Sequence, residues 1–127
     1  MKKELHVIST GKQSEEEIID ILYSIYPYIT AFHIREKEKT ARELSALITN
    51  LLEIGVPQSK LVVNDRVDVA ECFGTRGVQL PYHGLDVKHV KRSFPKLTIG
   101  CSVHSMEEAH YAEKTGAHYL LYGHVFP

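Results

Sequence analysis

Polar side chains recur along this 127-residue chain, each group closing a short apolar run: His33/Arg35/Lys37, Asn64/Asp65, Gln79, Ser102/His104 and Gly123/His124. Histidine titrates near neutrality and can both remove and return a proton, so His124 and His104 are candidates for acid–base work. Arg35 offers a planar fork of donors and Lys37 a point charge, two ways of holding a carboxylate or phosphate. Ser102 adds a hydroxyl for an anion, and Asn64 a carboxamide that could donate to a ligand or brace its loop. Each has a plainer counterpart. Arg35-Glu36-Lys37 also reads as a solvated charge run, Asn64-Asp65 as a turn and helix cap, and His104 as a hydrogen-bonded surface histidine. His89, His110 and His118 fall in predicted helices or at their ends, where exposure to solvent is expected.

The elements that must position these groups alternate strand and helix. Leu5 to Thr10 reads as a strand broken at Gly11, and Ser14 followed by Glu15, Glu16 and Glu17 caps a helix running to about Tyr26. Ile29 to Ile34 gives a second strand. Thr40 caps a helix whose Leu44, Leu47, Ile48, Leu51 and Leu52 recur at helical spacing until Gly55. Leu61-Val62-Val63, Gly77 to Leu80, Leu97 to Cys101 and Tyr119 to Tyr122 supply four more strands. Helical segments over Val67–Cys72 and Leu85–Ser93, and one opened by Ser105-Met106-Glu107-Glu108 with the spacing of a capping box and closed at Gly116, lie between them. This repeat implies a parallel sheet covered by helices, either an open doubly wound sheet or a barrel. No G-x-G-x-x-G or Walker loop supports the open sheet, whereas a barrel places all the strand-end groups on one rim.

Composition narrows the function classes. The 15 basic and 16 acidic residues are interspersed, which gives no footprint for nucleic acid or a lipid surface. No apolar run nears the roughly 20 residues that span a bilayer. Cys72 and Cys101 have neither metal nor disulfide-framework spacing, so both are expected to be free thiols in a cytoplasmic protein. With no linker in sight, residues 1–127 read as one domain.

These groups resemble the thiamin phosphate synthase and TenI family over essentially the whole chain. His33-Ile34-Arg35-Glu36-Lys37 looks like its Q-x-R-E-K segment, and Asn64-Asp65-Arg66-Val67-Asp68-Val69-Ala70 like its N-D-R-x-D-x-A turn. Ile99 to Ser105 looks like its I-G-x-S-x-H-S strand, and Gly123-His124-Val125-Phe126 stands at its G-P-V-F. The resemblance implies a (β/α)8 barrel, here present as about six βα units with strands seven and eight missing. In the synthases an acid shortly after the fourth strand helps the aspartate of N-D hold Mg²⁺ for a diphosphate substrate; here that position is Gly84, and His33 replaces the glutamine. In TenI-type thiazole tautomerases the histidine of G-H-V-F is the proton-transfer residue, and His124 matches it.

The resemblance therefore implies a thiazole tautomerase that aromatises a carboxylated dihydrothiazole phosphate by moving one proton, without metal or cofactor. His124 would act with His104 as helper, His33, Arg35, Lys37, Asn64 and Ser102 would bind substrate, and His33 would reach the ring from the rim. Two alternatives stand beside it: an Mg²⁺-dependent thiamin phosphate synthase, and a non-catalytic regulatory barrel. The loops after strands seven and eight often hold phosphate in such barrels, so that anchor is expected outside these residues. An open six-stranded sheet would expose two edges and an apolar barrel interior, which a second copy of the chain could cover.

Overall fold

Local capping chemistry sets the helix starts in the computed structural model, which describes residues 3–123. Helix α1 (Glu15–Ile25) opens where the Ser14 hydroxyl accepts from Glu17 N and the Glu17 carboxylate accepts from Ser14 N. Thr40 and Glu43 repeat this box at α2 (Ala41–Glu53), and the Asp86 carboxylate caps α4 (Val87–Ser93). α3 (Val67–Phe73) lies between them, and α5 (Met106–Thr115) follows Ser105. The box expected at Ser105 forms only by half. The Ser105 hydroxyl accepts from Glu108 N, while the Glu108 carboxylate passes over Ser105 and accepts from His104 N at 2.9 Å.

Six strands, β1 (His6–Ile8), β2 (Ala31–Ile34), β3 (Leu61–Asn64), β4 (Gly77–Leu80), β5 (Thr98–Val103) and β6 (Tyr119–Tyr122), pair in chain order and all in parallel. A doubly wound sheet reverses its strand order at a switch point. The unbroken sequential order instead gives part of a (β/α)8 barrel, as expected. β5 runs two residues past the predicted Cys101 because Ser102 and Val103 pair with Leu121 and Tyr122.

The curl of the sheet shows in one contact between its ends. The ring of Tyr119 on β6 lies edge-on to His6 on β1, with centroids 5.6 Å apart. Gly100 makes this close approach feasible, since a Cβ there would stand 2.3 Å from Tyr119 Cζ and 2.3 Å from Gln79 Oε1.

The two faces of the sheet divide the work. Outward residues such as Phe32, Ile34, Leu61, Val63, Val78 and Ile99 form one apolar core with Ile18 and Leu22 of α1 and Leu47, Ile48 and Leu51 of α2. The inward face was expected to be apolar, and the structure corrects this. His6 and His33 hydrogen bond there, as do Gln79 and Ser102, with the Tyr119 ring against both imidazoles. The hydrophobic core of this chain therefore lies between sheet and helices. Among the described residues no helix is long and apolar enough to cross a membrane.

Candidate active site

A cavity of about 460 Å³ opens at the C-terminal ends of the strands. Arg35, Lys37, Asn64, Ser102 and His104 line it, as do Tyr82 and His83 from the β4–α4 loop and Gly123 after β6. Five of the seven residues read from sequence as site residues thus converge on one cavity.

The Arg35–Lys37 segment is fixed by a residue that the sequence reading passed over. Ser9, buried at the end of β1, accepts from Arg35 N at 2.9 Å and donates its hydroxyl to the Glu36 carboxylate at 2.8 Å. Glu36 is only 8% exposed, so this stretch is no solvated charge run. The buried acid turns inward and anchors the loop, and its two basic neighbours line the cavity. Among the described residues neither Arg35 nor Lys37 has an ion-pair partner, so their charge is available to an anion.

Asn64 ends β3, and Asp65 follows in the left-handed region at φ 68°, its N–H donating to Gln79 O at 2.8 Å. This is the tight turn expected of Asn64-Asp65. The helix-cap role is not observed, because the cap position of α3 is Arg66, which makes no side-chain cap bond. Freed from capping, Asn64 borders the rim cavity and the two smaller cavities beside and beneath it.

His104 is held from several sides. Its N–H is bound by Glu108, whose carboxylate also lies 3.6 Å from Nδ1; its carbonyl accepts from the Tyr122 hydroxyl at 3.2 Å; and the Tyr82 ring stands edge-on 5.1 Å away. His124 lies outside the described residues. Its neighbour Gly123 donates its N–H to Val103 O at 3.2 Å and borders the cavity, so the chain reaches the rim at that point.

His33 is the correction among the site residues. It was expected to present its ring at the rim, but it is 1% exposed and sits on the inward face below, its Nε2 2.8 Å from His6 Nδ1. Strand alternation explains this: residues 33 and 35 share a face of β2, and the deeper one is enclosed by His6 and Tyr119. Burial, with His6 and Arg76 contributing, lowers its pKa to about 4, so the imidazole is neutral near pH 7. Ser9, His6, Tyr82 and Tyr119 were missed as site or supporting residues. Ser9 alone carried a signal, a hydroxyl at a strand end like the others.

The Mg²⁺ site implied by the synthase resemblance can be tested on the donors present. A cleft of about 300 Å³ beside the rim contains Asp65, Glu36 and His83. Glu36 is committed to Ser9. A Cβ on Gly84 would stand 2.8 Å from Asp65 Oδ1 and 3.1 Å from two Pro81 ring carbons, so an acid there would need Asp65 to turn aside and Pro81 to give slightly. Among the described residues no three His, Cys, Asp or Glu side chains gather as metal ligands. Asp65 alone does not fit the ion as a two-acid site would hold it.

Sequence comparison matches residues 5–127 to the thiamine monophosphate synthase pattern. The chain belongs to the thiamine monophosphate synthase family. The family is enzymatic, within thiamine biosynthesis. Thiamine-phosphate synthase of Pyrococcus furiosus is 37% identical over 127 residues, 99% of this chain and 61% of the relative. The enzyme of the same name from Desulfitobacterium hafniense is 38% identical over 104 residues, 78% of this chain and 49% of the relative. The solved thiamine phosphate pyrophosphorylase of Pyrococcus furiosus superimposes with a TM-score of 0.77 at 35% identity, covering 98% of this chain and 61% of that one. One from Bacteroides thetaiotaomicron, at 20% identity and a TM-score of 0.67, shares the fold. The chain spans about 61% of the length of the first relatives it matches. Their names favour the synthase activity over the tautomerase that the family resemblance of His124 and Gly84 suggested.

Proposed function

We propose that this chain forms the catalytic rim of a thiazole tautomerase within the family. The observation that carries the reading is Gly84 packed against Asp65, which leaves one carboxylate where diphosphate chemistry would use two. A proton shift needs no such ion. Arg35 and Lys37 receive the substrate carboxylate, with their loop held by the Ser9–Glu36 bond so that little ordering remains to be done on binding. Ser102 and Asn64 supply neutral hydrogen bonds at the cavity wall.

His124 removes the ring proton and returns one to the exocyclic carbon, which shifts the double bond into the ring with no net gain or loss of protons. His104, at the end of the neighbouring strand and held by Glu108 and Tyr82, orients the substrate beside it. Nothing in this sequence of events requires His33 to touch the ring, and its burial supports a role from below.

The second reading is thiamine-phosphate synthase, favoured by the names of the relatives. The two part on one assay. The protein is incubated with the carboxylated dihydrothiazole phosphate, and separately with thiazole phosphate, pyrimidine diphosphate and Mg²⁺. Aromatisation that is insensitive to chelator supports the tautomerase. Mg²⁺-dependent thiamine phosphate formation without aromatisation replaces it with the synthase.

A further inference from the structure

Below the rim lies a smaller cavity of about 90 Å³ on the inward face, bordered by His33, Gln79, Arg35, Asn64 and Ser102, the last three of which also line the rim cavity. Gln79 is 3% exposed, and its Nε2 donates to the Ser102 hydroxyl at 3.0 Å. Its Oε1 is buried and has no hydrogen-bond partner among the described residues. If the amide is turned over, an N–H is orphaned in its place, so one end of this side chain calls for a partner under either assignment.

His33 supplies a second such group by elimination. The Glu4 carboxylate can only accept, so His6 Nε2, 2.8 Å away, carries a proton there. When that is the only proton on His6, its Nδ1 holds a lone pair, and the 2.8 Å contact is His33 Nε2–H donating to it. The one proton of neutral His33 is then used, and its Nδ1 is a lone pair on a buried ring that borders the cavity.

The orphaned end of Gln79 and the unused nitrogen of His33 belong to side chains that border this one small cavity, which Ile8, Arg35 and Leu121 also line. A water molecule can meet both, because it donates as well as accepts, and it can bond the Ser102 hydroxyl or the Asn64 carboxamide in turn. The volume is several times the roughly 10–15 Å³ that one water requires. We propose that this cavity is a built water site, in which an ordered water bridges Gln79 and His33 and joins the Glu4–His6–His33 chain to Ser102 at the floor of the rim cavity. The site does not depend on which thiamine reaction the rim performs.

Two measurements on the full chain decide it. Nitrogen-15 imidazole spectra at about pH 8, above the ordinary histidine range, report the tautomer. The expected result for His33 is a protonated Nε2 and an Nδ1 shifted as a hydrogen-bonded acceptor. A high-resolution crystal structure is expected to show water within hydrogen-bond distance of Gln79 and His33. The Gln79→Leu variant should lose that water and shift the His33 Nδ1 resonance toward an unbonded lone pair. If it fails to fold, the wild-type tautomer and density still decide. A protonated His33 Nδ1, or a dry cavity in well-ordered density, overturns the proposal.

Discussion

Gly84 and Asp65 are so closely apposed that the first carbon of any side chain at position 84 would lie 2.8 Å from the Asp65 carboxylate. Pro81 closes the other side of the same space.

Gly84→Asp is therefore not a simple route to a metal site. The Asp65 side chain must turn aside and Pro81 give slightly to admit it, and two carboxylates at close range repel, so without a cation the variant should lose about 1–3 kcal/mol of stability. Thermal unfolding with and without Mg²⁺ checks this. A variant as stable as wild type that also gains Mg²⁺-dependent stabilisation would show that the loop adapts freely.

Ser9→Ala removes the hydroxyl between Arg35 N and the buried Glu36 carboxylate. The acid is left underpaired, which costs about 1–3 kcal/mol. The loss is larger than an exposed serine would give, and urea denaturation measures it. Binding of an anionic thiazole phosphate should weaken as well, because the loop carrying Arg35 and Lys37 loosens. Loss of stability with unchanged affinity would separate the anchor from the site.

Arg35→Ala should weaken binding of the thiazole phosphate carboxylate roughly tenfold to a hundredfold, the range for a hydrogen bond to a charged group. Arg35→Lys should recover only part, because an ammonium lacks the planar fork. Calorimetric titration at low and high salt distinguishes these, with the wild-type affinity falling more steeply with salt than that of Arg35→Ala.

His33 makes stability depend on acid. Its folded pKa, about 4, lies below the ordinary 6.5, because burial disfavours the charged ring. As pH falls below about 6.5 the unfolded chain gains a proton that the folded chain refuses. Stability is therefore lost progressively between about 6.5 and about 4, by up to roughly 3 kcal/mol from this group, and the loss levels off below. His33→Gln should flatten that part of a urea-denaturation profile. Identical pH slopes for the two proteins would contradict the burial argument.

Much of this architecture was legible from single residues. Ser14 and Thr40 start their helices through side-chain bonds to their own first turns, so their signals are local, whereas the Asp86 cap of α4 lay inside a helix read as starting at Leu85. The convergence of Arg35, Asn64, Ser102 and His104 followed from strand ends sharing one rim. Strands of three to six residues carry too little alternation to reveal which face is polar, and so the burial of His33 against His6 was not legible. The Ser9–Glu36 bond joins residues 27 apart and depends on β1 pairing with β2. Glu108 had the spacing of a capping box, yet its carboxylate found the His104 N–H one residue earlier.

The most direct test follows aromatisation of the carboxylated dihydrothiazole phosphate by the protein in the presence of chelator, beside His124→Ala. Rapid aromatisation in wild type, reduced by at least about a hundredfold in the variant, is the predicted result, within the range expected for loss of a general acid–base group. No aromatisation by wild type, together with Mg²⁺-dependent formation of thiamine phosphate, would contradict the tautomerase and establish the synthase.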